Sequence, residues 1–222
     1  MERFALDLAH LLAGGMVLVS FMMLYQNRMF GLINVFALQA VVLAASVAWQ
    51  AHIQDAPHLY LTALMAVVLK AVVIPFALHR MVVRLGVHRG IETVGGIGPT
   101  MLMGIGLVAL SLVVMLQATE TAGADPLARE DLALALSVIL LGLLMMVTRH
   151  NAVSQIIGFM SLENGLILAA AGAKGMPLVV EISVAFSVLV AFIVIGVFLF
   201  RIRERFDSID TDALDEFREG RR

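Results

Sequence analysis

Apolar runs of about twenty residues recur along nearly the whole chain, and this recurrence constrains the fold more than any other feature. They fall near residues 5–25, 30–50, 58–78, 99–117, 132–148, 152–172 and 178–200. A bilayer's hydrocarbon core is crossed by about 20 helical residues, and each run is close to that length. Of the 222 residues, 61% are hydrophobic and 14% charged, where a soluble domain has roughly half and a quarter. The mean hydropathy is +0.97. These features predict an all-α fold: a polytopic transmembrane helix bundle of seven spans over residues 1–200, with a soluble tail over 201–222.

Composition also removes whole classes of function. The formal net charge is −2, so there is no basic footprint for nucleic acid. The chain has no cysteine, which excludes disulfides, thiolate metal sites and cysteine-ligated iron–sulfur clusters. No nucleotide loop, nucleophile triad or metal cluster stands out. No cofactor, metal or catalytic residue is therefore expected in this chain, and electrons in any associated redox reaction must travel in another subunit. Arg3 is offset by Glu2, and the first apolar run is longer than a signal peptide's core. We read it as the first span.

The connectors are mostly short. The longest is expected to run from His79 to Gly98, carrying Arg80, Arg84, His88 and Arg89, with a break at Gly95-Gly96 and Gly98-Pro99. One side of the membrane then has Arg28, Arg80, Arg84, Arg89, Arg149, Arg201, Arg203 and Arg205. The other has Arg3, Arg129 and Lys174 among Asp55, Glu120, Asp125, Glu130 and Asp131. The basic side is cytoplasmic. Seven spans place the N-terminus outside and the C-terminus inside a bacterial or archaeal cytoplasmic membrane. In the tail, Asp207, Asp210, Asp212, Asp215 and Glu216 surround Leu214 and Phe217; this is either a solvated helix or a docking element for a cytoplasmic partner.

A weak internal correspondence accompanies the spans. A shift of 124 residues lays Asn27 on Asn151, Ile33 on Ile157, Leu38 on Leu162, Gln39 on Glu163 and Ala45 on Ala169. Spans one to three and five to seven read either as two three-helix repeats joined by a middle helix, or as chance agreement between alanine- and leucine-rich helices.

Polar residues at mid-membrane depth are few. Glu163 lies inside the run Ile156–Ala170 and is followed by Asn164. A charge at the bilayer centre costs roughly 2.5–3.5 kcal/mol on insertion scales, so it is kept only when paired, hydrated or used. Glu163 is about ten residues, and Lys70 about twelve, from the outer ends of their spans. At about 1.5 Å per residue the two share a plane to within a few Å. Each alone in the bilayer core would be driven toward its neutral form, and together they favour both charged forms. Coupling of Lys70 with Glu163, directly or through a water or two, is therefore expected. Pro75 follows Lys70 by five positions; it cannot donate to the carbonyl of Ala71, which places a kink one turn from the lysine. Gln39 and Asn34 lie at middle depth in span two, and Glu181 opens span seven nearer the outside. Asp7 and His10 are one turn apart on one helix face, which suits a wet entry at the outer surface or an interfacial ion pair. The candidate proton-path residues are Glu163, Lys70, Glu181, Asn164, Gln39, His10 and Asp7. The bland alternative for Lys70 and Glu163 is a buried pair that only locks helices together.

From Arg149-His150-Asn151 through Gln155, Ile157-Gly158 and Glu163-Asn164-Gly165, the chain resembles component E of hydrogenase-4 and its relatives. Val180-Glu181-Ile182 after a proline-containing loop, and Lys70 with downstream Pro75, extend the resemblance over nearly the whole chain. It implies a membrane subunit of a complex-I-like hydrogenase or formate hydrogenlyase assembly. The implied neighbours are antiporter-like and K-subunit-adjacent membrane subunits and a soluble redox arm. The last three spans also resemble the small K subunit of complex I and the C subunit of multi-subunit cation/proton antiporters, whose glutamates lie on a proton-conducting axis. This chain departs from that pattern. Glu163 falls about one turn from the K subunit's first glutamate, and at the depth of the second, in span seven, it has only apolar residues and Ser187.

Overall fold

Short polar turns cut the apolar runs into helices. The computed structural model describes residues 2–85, 96–122 and 126–172, together with Leu189, Ile193 and Gly196. Helix α1 spans Glu2–Tyr25 and α2 spans Met29–Gln54, separated by Gln26-Asn27-Arg28. The end of α2 is marked by Asp55 at φ 50°, whose N–H bonds the carbonyl of Ala51. Pro57 then opens α3, where a missing N–H costs nothing. Helix α3 is one rod in three parts: α-helical over Pro57–Met65, π-helical over Ala66–Val73 and α-helical again over Ile74–Leu85. Helix α4 spans Ile97–Ala122, α5 spans Pro126–Thr148 and α6 spans Ala152–Gly172.

Among the described residues, six helices are long and apolar enough to cross a membrane: Ala5–Tyr25, Met29–Gln54, Pro57–Val83, Ile97–Met115, Glu130–Thr148 and Ala152–Gly172. They coincide with the first six expected spans. The seventh, over 178–200, lies outside the described residues, as do Glu181 and the acidic tail. The connector after span three is shorter than expected: the helix continues to Leu85, so His79, Arg80 and Arg84 are helical.

Four helices close a ring in which α1 packs on α2, α2 on α6, α6 on α5 and α5 on α1. Helix α3 lies against α2, and α4 against α5 and α1. The hairpins α1–α2 and α5–α6 stand side by side in matching direction. His10 near the start of α1 meets Asp131 near the start of α5. Met29 and Ser154 open α2 and α6 together, and the Gln54 amide donates to the carbonyl of Ala171 at their far ends. Residues about 124 positions apart are thus spatial neighbours. The proposed third member of the second unit, span seven, lies outside the described residues.

The tightest pairing is α5 on α6, where glycines let the backbones touch. A Cβ at Gly142 would lie 2.6 Å from the backbone nitrogen of Leu162, and one at Gly165 would lie 2.9 Å from that of Ile139. Small residues substitute for a hydrophobic driving force that does not exist between helices in lipid. This contact fixes the helix that carries Glu163.

Candidate functional site: a buried polar chain at mid-membrane

The site begins with the shape of α3. Among its buried residues, Ala66, Lys70, Ile74, Leu78 and Val82 form a series spaced four apart. On a regular α-helix such a series drifts by about 40° per step. The π-helical stretch has more residues per turn, which holds Lys70 and the later apolar residues on one face. Pro75 supplies the local cause. Its ring crowds the carbonyl of Ala71 and it has no N–H to offer; the widened coil makes room, with the N–H of Ile74 reaching the carbonyl of Leu69. The distortion expected near Lys70 therefore takes the form of a widened helix.

Lys70 stands midway between Pro57 and Val83 and is 1% exposed, while Glu163, near the middle of α6, is 3% exposed. The Lys70 ammonium nitrogen Nζ is 3.2 Å from Glu163 Oε2, so the coupling expected between the two is a direct ion pair. Nζ also donates to Asn164 Oδ1 at 2.8 Å. Asn164 Nδ2 donates to Gln39 Oε1 at 3.0 Å. Gln39 Nε2 in turn donates to Ser20 Oγ and to Ser161 Oγ, each at 2.8 Å. Ser20 Oγ donates to the carbonyl of Met16. One continuous chain of hydrogen bonds thus joins α3, α6, α2 and α1, all of it buried.

Lys70, Glu163, Asn164 and Gln39, all candidates from sequence, are brought together in one site. Ser20 and Ser161 are not among those candidates, because in sequence they are ordinary serines of apolar spans. A signal existed for Ser161: it lies two positions before Glu163.

The outer-surface candidates are arranged differently from the expectation. His10 does not pair with Asp7, which is exposed. Instead His10 Nδ1 lies 2.8 Å from Asp131 Oδ1, both half-sheltered, and ties α1 to α5. The other ring nitrogen, Nε2, is buried and has no hydrogen-bond partner among the described residues. Neither His10 nor Asp7 joins the buried chain of hydrogen bonds. Trp49 Nε1 donates to the carbonyl of Ala5 nearby, closing α1 on α2.

At the opposite end, Arg149, counted among the basic residues of the short loops, is a buried side chain. It is 1% exposed, and its Nη2 donates to the carbonyls of Leu24 at 2.7 Å and Gln26 at 2.9 Å. It therefore satisfies carbonyls that the end of α1 leaves free, where the helix dipole also favours a cation. Burial draws the guanidinium pKa down from its ordinary value, yet an arginine stays charged in proteins. Gln155 Nε2 donates to the Arg149 carbonyl, and Asn151 Oδ1 accepts from the N–H of Val153 as a cap on α6. The Arg-His-Asn turn and Gln155 thus build the junction between the two hairpins.

Fold and site together define a polytopic α-helical membrane protein with a buried Lys–Glu pair midway along two membrane-length helices. The chain belongs to the same family as the uncharacterized protein Rv0085 of Mycobacterium tuberculosis, with which it is 32% identical over 214 residues, 93% of this chain and 94% of that protein. No family model matches the sequence, and no solved structure matches the fold.

Proposed function

We propose that this protein is a non-catalytic membrane-arm subunit of a complex-I-like hydrogenase or related oxidoreductase, contributing a segment of a mid-membrane path for protons (or Na⁺). The observation that carries this reading is the Lys70–Glu163 pair, 3.2 Å apart and shielded from solvent midway along two membrane-length helices. Ionisable residues at such depth are costly and mark ion paths or proton relays. The resemblance to hydrogenase-4 component E supplies the type of assembly. A seventh span over 178–200 carries Glu181 and completes a second three-helix unit. The N-terminus then lies outside and the tail inside the cytoplasmic membrane. The partners are antiporter-like membrane subunits and a soluble redox arm; an antiporter-type module serving another soluble enzyme is the related variant.

A second reading has its own support. The same network ties α1, α2, α3 and α6 together through satisfied hydrogen bonds, which is what a purely structural linker needs. Glu163→Gln in the assembled complex separates the two. Intact assembly with lost ion translocation supports the conduit; lost assembly without a separate translocation defect supports the linker. Identification of the subunits that co-purify with the tagged chain tests the class of assembly.

A further inference from the structure

We infer that Lys70 fills, with its own ammonium, the place a sodium ion would need, so that the ion handled at this site is H⁺ and not Na⁺. This rests on the conducting reading above and names its ion.

The reason lies in the order of donors. An ammonium has three N–H groups and no lone pair. Because Lys70 Nζ donates to Asn164 Oδ1, the Asn164 amide turns its NH₂ the other way, onto Gln39 Oε1. That fixes Gln39 in turn, and both its N–H groups are spent on Ser20 Oγ and Ser161 Oγ. The orientation of both amides thus follows from the N–H that Lys70 donates to Asn164. Along this series Asn164 Oδ1, Gln39 Oε1, Ser20 Oγ and Ser161 Oγ each accept from nitrogen, and Glu163 Oε2 faces the ammonium.

A hard cation requires several oxygen lone pairs turned toward one point. Here Asn164 Oδ1 and Glu163 Oε2 converge on one point, and a tethered positive charge is already there. A second cation alongside would meet like charge at close range in a medium of low dielectric, where Coulomb repulsion is strong. A proton needs no such room. In the transfer an N–H bond of Lys70 breaks, an O–H bond forms on Glu163, and an ion pair becomes a neutral amine beside a neutral acid. No other reactant enters. The Asn and Gln carboxamides are not titratable donors; they are positioning residues that hold the ammonium against Glu163.

The test uses the full-length tagged chain, extracted mildly from its own membranes with whatever subunits accompany it. Its thermal midpoint is followed as NaCl replaces choline chloride at constant ionic strength. The wild type is expected to give no sodium-specific shift. Lys70→Met leaves the Glu163 and Asn164 oxygens without their cation, so it is expected to gain a midpoint rise that grows with NaCl, as binding to the folded state requires. If Lys70→Met does not fold, Lys70→Gln takes its place. A sodium-specific rise in the wild type that Glu163→Gln removes overturns the inference, and so does a folded Lys70 variant with no response. The measurement involves no turnover, so either result leaves the conduit reading to be decided by translocation in Glu163→Gln.

Discussion

Lys70 of α3 and Glu163 of α6 lie 93 positions apart in sequence and face each other across 3.2 Å at the middle of the bundle. Neither helix packs closely along the other: α3 lies chiefly against α2, and the lysine reaches past that contact to α6. Truncating one partner of a buried pair leaves an uncompensated charge, at a cost of about 3–5 kcal/mol. Lys70→Met and Glu163→Gln are each expected to lower stability strongly, and the double variant to fall well short of the summed loss. Thermal midpoints of the three variants in one detergent check this, and simple additivity is the contrary result.

Gly142 and Gly165 are expected to tolerate no larger side chain. A Cβ at either position would press on backbone of the facing helix, where no rotamer change can relieve it. Overpacking of this kind costs about 1–3 kcal/mol. Gly142→Val and Gly165→Val are expected to lower the midpoint, whereas Gly106→Ala, where an added Cβ meets nothing within 4 Å, is expected not to lower it. Equal effects at the three sites would contradict the close α5–α6 contact.

Arg149 is expected to matter through its hydrogen bonds more than its charge. Arg149→Met strands the carbonyls of Leu24 and Gln26, and each buried group left without a partner costs about 1–3 kcal/mol. Arg149→Lys keeps the charge but puts a more strongly hydrated ammonium at this buried position, so only partial recovery is expected. Protease resistance of the α1–α2 turn reports the junction directly. Full recovery by lysine would mean that charge alone suffices.

The absence of native cysteine makes the topology open to direct labelling. A cysteine replacing Ser208 is expected to resist an impermeant thiol reagent added to intact cells, and one replacing Asp125 to react. Labelling at Ser208 under those conditions reverses the orientation proposed from the arginine distribution.

The existence and rough placement of the first six membrane helices were legible in the sequence, because hydrophobic length is a local property set by the thickness of the bilayer, although α3 runs on to Leu85. Depth was legible for the same reason, since rise per residue is constant, and it placed Lys70 and Glu163 in one plane. Rotation about each helix axis was not legible. It was decided by the π-helical stretch before Pro75, which turns Lys70 inward, and by the glycine contacts that seat α6 on α5. Tertiary structure alone paired His10 with Asp131 rather than leaving it beside Asp7, buried Arg149 at the end of α1, and recruited Ser20 and Ser161. In a helical membrane protein almost every face of a span is apolar, so hydrophobic pattern says little about which side meets a neighbour. That choice falls to close packing and to the few polar groups that must find partners away from water.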